Sequence, residues 1–202
     1  FRDLPGIIVA CPSNGADAVK MLRRVVLEAY KNSRITVFIE PIALYMVKDL
    51  YIEKDRKWSF KYPNIKEEIE IGEFSVHGQG SALTIISYGN GFYLSMQAKG
   101  EIEKVLNKKI KIIDLRWLSD MNIANLLEAN GKCSKILIID ECRKNGCYGE
   151  GLVSDILTAT KIPVKIRLHA AENSFIPLGE AANVTLPSKE SIIEQALELY
   201  NE

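Results

Sequence analysis

The chain has 202 residues, 47% of them hydrophobic, and balances 26 Lys+Arg against 26 Asp+Glu. Zero net charge argues against a broad electrostatic footprint for nucleic acid or an anionic membrane, and no apolar run approaches the roughly 20 residues needed to span a bilayer. The cysteines Cys11, Cys133, Cys142 and Cys147 lack the paired tight spacing of a zinc site and read as reduced thiols of a cytoplasmic protein. The sequence opens at Phe1 without an initiator Met, and it reads as a piece of a larger enzyme.

Residues 1–46 predict a strand–helix–strand unit. IIVACPS is a buried strand, and Ser13 or Asn14 caps a helix whose apolar face is Ala16, Val19, Leu22, Val25, Val26 and Ala29. ITVFIEP is a second buried strand. Two strands make no stable core alone, so this unit needs partners. Residues 47–80 are charged and aromatic and read as a linker. Trp58, Phe60 and Tyr62 alternate there as in a docking segment, and a short strand is expected near Glu68 to Ser75.

Residues 81–202 predict a complete α/β domain with a mostly parallel, three-layer arrangement. LTIISYG, KIKIIDL, KILIIDE and VKIRLHA are its strands. The first helix runs from about Gly91 to Leu106 with Leu94, Ala98, Ile102 and Val105 inward. Ser119 is expected to cap the second, which stops before Gly131; a third spans about Gly149 to Ala159; Ser188 caps the last, bearing Ile192, Ile193, Ala196, Leu197 and Tyr200.

The candidate functional residues lie at carboxyl ends of strands, where open α/β sheets bind ligands. Asp140 and Glu141 are followed by a loop carrying Gly146, Tyr148 and Gly149. Adjacent carboxylates on a strand point to opposite faces, so they are not an acid–base pair. They line a site mouth or interface, or cap helices and pair with Arg143 or Lys144; the second is the plainer reading. Asp114 and Arg116 share a side of a strand end and can cross-link neighbouring loops. Of the histidines, His77 and His169, the strand-end His169 is the better general-base candidate, without a Ser-His-Asp context. The Gly89–Asn90–Gly91 turn could cradle a phosphate at a helix start, yet it does not extend to G-x-G-x-x-G, and a tight strand-to-helix turn explains it as well.

Together these segments resemble a family. DLRWLSD is similar to the D-L-R-T-L-x-P segment of the transketolase C-terminal domain, TIISYGNG to its T-I-V-T-Y-G strand, and ILIIDECRKNGCYGEGLVSDI to its V-V-D-E…G-G-F-G-A-E-I segment. FRDLPGIIVACPSNGADAVKMLRRVV and ITVFIEPIALY resemble the end of the pyrimidine-binding domain, and SFIPLGEAANVTLPSKESII resembles the tail. The set covers nearly the whole chain in the right order and is most similar to the beta subunit, or beta-like half, of thiamine-diphosphate-dependent 2-oxo acid dehydrogenases.

The resemblance implies a parent enzyme that decarboxylates a 2-oxo acid on thiamine diphosphate with Mg and passes the acyl group to a lipoyl acyltransferase. The activating glutamate and the histidine of the beta half would lie upstream of Phe1, and the diphosphate and Mg on a different domain or on an alpha subunit. This chain would then hold no catalytic, cofactor or metal residue, bind no cofactor by itself, and serve assembly within a homo- or hetero-oligomer. Transketolase-like or deoxyxylulose-phosphate-synthase-like fragments, and a non-catalytic interaction module, are the alternatives. The sequence departs from the family at Tyr30 to Arg34, which replace a D-D-N-P turn that holds potassium in many beta subunits; at Cys147, in place of a loop glycine; and at Trp117, in place of a Thr.

Overall fold

The computed structural model describes residue 1 and residues 4–202. Among the described residues there are two sheets. The front unit is β1 (Ile8–Ala10), α1 (Gly15–Asn32) and β2 (Thr36–Phe38), with β1 and β2 paired in parallel. The larger sheet has the order β3-β5-β4-β6-β7, from β3 (Ser75–His77), β4 (Thr84–Ser87), β5 (Lys111–Asp114), β6 (Lys135–Arg143) and β7 (Lys165–Ala171). Only β3, on the edge, is antiparallel. The crossover helices are α2 (Gly89–Leu106), α3 (Ile123–Asn130) and α4 (Tyr148–Ala159), and α5 (Lys189–Asn201) closes the domain.

The runs of Ile and Leu build the centre of the fold because both faces of a parallel sheet are covered. Ile85, Ile112, Leu137 and Ile139 face α2 and α5 and meet Phe92, Ala98, Ile102, Ile192 and Ala196. Ile86, Ile113, Ile136 and Ile138 face the other way, toward Leu126, Leu152 and Ile156. This is the three-layer α/β arrangement expected. Ser188 caps α5 as expected, reciprocally with Ser191.

Several local expectations shift. The short strand comes later, at Ser75–His77, because a turn closed by Glu73 N–H onto the Glu70 carbonyl occupies the preceding residues. Ser119 does not cap α3. Its hydroxyl accepts the Val9 N–H at 2.9 Å and donates to Asp120, whose φ of +55° stops a helix starting there; Asn122 is the cap. On α1, Met21 and Val25 are buried, whereas Leu22 and Val26 of the expected apolar face lie open, as does Val105 on α2. Tyr30 to Arg34 form no tight turn: α1 runs on through Asn32 and ends at Ser33 in the left-handed region.

Residues 47–74 are irregular but not loose. Asp55 accepts four backbone N–H groups, from Leu50, Tyr51, Ile52 and Lys57. Helix α2 clasps this segment through Tyr93 OH to the Asp49 carbonyl and Gln97 to the Leu50 carbonyl, and Trp58 is buried against Phe92 and Tyr93.

Trp117, the departure from the family Thr, is fully buried among Ile8, Ala10, Met21, Val25 and Ile69. Removing a large buried aromatic leaves a cavity between the front unit and the domain. Trp117→Ala is therefore expected to cost about 3–5 kcal/mol in guanidinium unfolding. A loss below about 1 kcal/mol would show that this packing contributes little.

Candidate functional site

The candidate residues gather at the carboxyl ends of β4, β5 and β6, and they fall into a dock, a loop anchor and one outlier. In the dock, the loop after β5 runs alongside β1 as a further strand would. Ala10 pairs antiparallel with Trp117, Cys11 N–H bonds the Arg116 carbonyl at 2.7 Å, and Leu118 N–H bonds the Val9 carbonyl at 2.8 Å. Asp114 is fully buried and accepts the Ser13 hydroxyl at 2.7 Å. Arg116 reaches Asp17 in the first turn of α1 at 2.8 and 2.9 Å. The two residues do not share a strand face as the sequence suggested, because the strand ends at Asp114 and Arg116 has a φ of +62°. They still cross-link: each binds the front unit.

The second group anchors the loop before α4. Asp140 accepts Tyr88 OH at 2.7 Å, Cys142 N–H at 2.8 Å and Gly149 N–H at 2.8 Å. It is thus a helix cap and loop staple at once, as the plainer reading has it, although its partners are Tyr88, Cys142 and Gly149 rather than Arg143 or Lys144. Glu141 turns the other way and accepts from Asn90 at 2.6 Å. Burial raises its carboxyl above the ordinary value, against the opposing Asn90 hydrogen bond. Gly146, at φ +82°, donates its N–H to Glu150. A Cβ on Gly149 would meet a terminal methyl of Leu168 at 2.5 Å, so a larger residue would have to push that side chain aside for α4 to sit this close to the sheet. Tyr148 packs edge-on against Tyr88, with ring centroids 6.3 Å apart.

His169 stands apart. Its Nε2 lies 2.7 Å from the Ser191 hydroxyl at the start of α5, and burial holds its pKa below the ordinary value. The structure does not bring it to the carboxylates. The first groups, by contrast, meet at Cys11, whose thiol is pushed far up by burial and then by the charges of Asp114, Glu141 and Asp140.

Parallel strands in the order β5-β4-β6-β7 reverse direction of travel beside β4, the place where such sheets bind ligands. Here the front unit lies over it. A Cβ on Gly89 would come within 3.2 Å of both Cys11 and Pro41. The head of α2 is closed by protein, which removes the room a dinucleotide would need at Gly89–Gly91. Among the described residues no three His, Cys, Asp or Glu are grouped to hold a metal ion. The unpaired oxygen of Asp114 is sealed inside the dock.

Sequence reasoning missed Ser13 and Asp17 as dock residues, having read Ser13 only as a candidate cap of α1. It also missed Tyr88 and Asn90 as partners of the acidic pair. The YGN segment after a strand was the available signal for the latter.

Comparison with known proteins agrees with this fold. The family model described as Transketolase, C-terminal domain matches residues 72–192. The pyruvate dehydrogenase E1 component subunit beta of Staphylococcus epidermidis is 27% identical over 194 residues, 95% of this chain and 55% of that protein. The Staphylococcus aureus protein of the same name is 26% identical over 196 residues, 96% of this chain and 56% of its own length. The chain thus spans about half the length of the curated relatives it matches. A solved structure described as a split gene transketolase, inactive beta4 tetramer, matches with a TM-score of 0.69 at 17% identity, covering 98% of this chain and 60% of that one.

Two outcomes follow from the geometry. Burial pushes the Asp114 carboxyl up to about 7 from 3.8, outweighing the Ser13 hydrogen bond and the Arg116 charge. An acid raised on folding binds its proton more tightly in the native state, so its contribution is full below pH 3.8 and is lost as pH rises through about 7. Relative to Asp114→Asn, the unsubstituted protein should therefore lose stability across that window in pH-resolved denaturant titrations; parallel curves would contradict the assignment. Asp140→Ala strands three donors and is expected to cost about 1–3 kcal/mol, read by the same titration. With residues 72–192 matching its model over more than half of the chain, the protein belongs to the transketolase C-terminal domain family.

Proposed function

We propose that this chain is the C-terminal part of the beta subunit of a thiamine-diphosphate-dependent 2-oxo acid dehydrogenase, and that its work there is assembly rather than chemistry. The observation that carries the reading is the continuity of the match. One alignment to the pyruvate dehydrogenase E1 beta subunit covers 95% of the chain, passing from the front unit through the irregular segment into the C-terminal domain. The dock supports the role, because the residues that looked most like a site in the sequence are used to fasten one unit to another.

In the parent enzyme, thiamine diphosphate would supply the decarboxylating centre, held with Mg by other domains or by an alpha subunit. A lipoyl acyltransferase would accept the acyl group. The front unit would meet those domains, a reading supported by the exposed Leu22, Val26 and Tyr30 on α1 and by its sheet of only two strands. Asp114, Arg116, Asp140, Glu141, Gly146, Tyr148 and Gly149 act as positioning residues for that surface, and His169 secures α5. Among the described residues no helix is long and apolar enough to cross a membrane.

The test uses the purified chain. With thiamine diphosphate and Mg it is expected to show no micromolar binding in calorimetry and no ferricyanide-coupled oxidation of pyruvate or another 2-oxo acid. The DNA immediately upstream of the Phe1 codon is expected to encode a pyrimidine-binding segment in frame. Micromolar cofactor affinity in the isolated chain, or an unrelated upstream reading frame, would overturn the proposal.

A further inference from the structure

The opposite end of the large sheet holds a feature the sequence did not display. At the amino ends of β4, β5 and β6 a cleft of about 630 Å³ is lined by Lys108, Lys109, Lys135, Ser81, Ser134 and Tyr200, among others. Its size lies within the range of small-molecule sites. The protein is neutral overall, with 26 basic and 26 acidic residues, so this concentration of ammonium groups is local.

Among the described residues the charges here are not balanced. Lys99 and Lys109 share a single carboxylate, Glu103, at 3.2 and 2.8 Å. Lys135 donates to the Tyr200 carbonyl, and its ammonium lies 5.0 Å from that ring's centroid. Lys108 has no carboxylate partner at all; its ammonium lies 5.6 Å from the same ring. Three lysines, Lys108, Lys109 and Lys135, thus line the cleft with no acidic residue among its lining, and the one carboxylate paired with them, Glu103, is already shared with Lys99 behind the wall. The hydroxyls of Ser81 and Ser134 add neutral donors. The wall is also held close: a Cβ on Gly80 would lie 2.0 Å from the Lys109 backbone, so the Gln79–Ser81 turn is pressed against the lysine pair.

Lysines at this end of a sheet can simply neutralise the carbonyls at helix C-termini. That explains Lys135, which meets the last turn of α5. It does not explain Lys108 or Lys109, whose ammonium groups touch no helix carbonyl.

We propose that this cleft is a binding site for a small anion carrying two or more phosphate groups. Several ammonium groups spread around one opening, with flanking hydroxyls, suit a ligand whose negative charges are themselves spread out. The site lies at the end of the sheet opposite the dock and does not depend on the assignment of the parent enzyme.

The probe is inorganic pyrophosphate, titrated into the full chain by calorimetry, with inorganic phosphate in parallel. Pyrophosphate is expected to bind one-to-one, more tightly than phosphate, and more weakly as salt rises. Lys108→Gln with Lys109→Gln should weaken it by at least about tenfold, because charge-assisted hydrogen bonds are lost. Lys54→Gln, on the distant irregular segment, should change nothing. Lys108→Gln alone removes no ion pair from the fold and guards against misfolding of the double variant, which a melting curve also checks. Absence of pyrophosphate binding at low salt, equal affinity for phosphate, or affinity indifferent to both lysine variants would each overturn the site. So would binding of single-stranded RNA that pyrophosphate fails to displace.

Discussion

A buried carboxyl group and a largely buried guanidinium fasten this protein together. Asp114 and Arg116 stand at the end of β5 and reach Ser13 and Asp17 at the start of α1. Around them the backbone of β1 exchanges hydrogen bonds with the loop carrying Trp117, whose indole fills the space between the units. Two strands and a helix cannot form a stable core by themselves. The front unit is ordered because the large sheet lends it a third edge and a hydrophobic floor.

That arrangement accounts for what happens at the place where a sheet of this topology would bind a ligand. Cys11 and Pro41 close over the head of α2, and Asp140 spends its hydrogen-bonding capacity on Tyr88, Cys142 and Gly149. Polar groups at strand ends that resemble catalytic residues are thereby committed to structure. Asp114 illustrates the tension: one oxygen holds Ser13 and the other has no partner, so burial favours its protonated form.

The large domain was legible in the sequence because its strands are short Ile-rich runs and its helices carry periodic apolar positions, signals that operate within a few residues. The Ser188 cap was legible for the same reason. The dock was not, since Ser13 and Asp114 are 101 residues apart and nothing local marks either as the other's partner. Ser13 even looked like a helix cap, a role that Asn14 takes. Ser119 misled similarly: its hydroxyl is drawn off by Val9 across the dock, and the helix waits for Asn122. The lysine cleft also escaped notice, because Lys108, Lys109 and Lys135 come together only when β4, β5 and β6 align their amino ends.

Through this dock the front unit and the large sheet would unfold as one cooperative body. Native-state hydrogen exchange measures it directly, at the amides of Cys11 and Leu118, which bond across the dock, and at those of Ile86 and Ile138 within the central strands. All four amides are expected to exchange only through global unfolding, with the same opening free energy. Faster exchange at Cys11 and Leu118 while Ile86 and Ile138 stay protected would contradict it, and would mean that the front unit opens independently of the sheet.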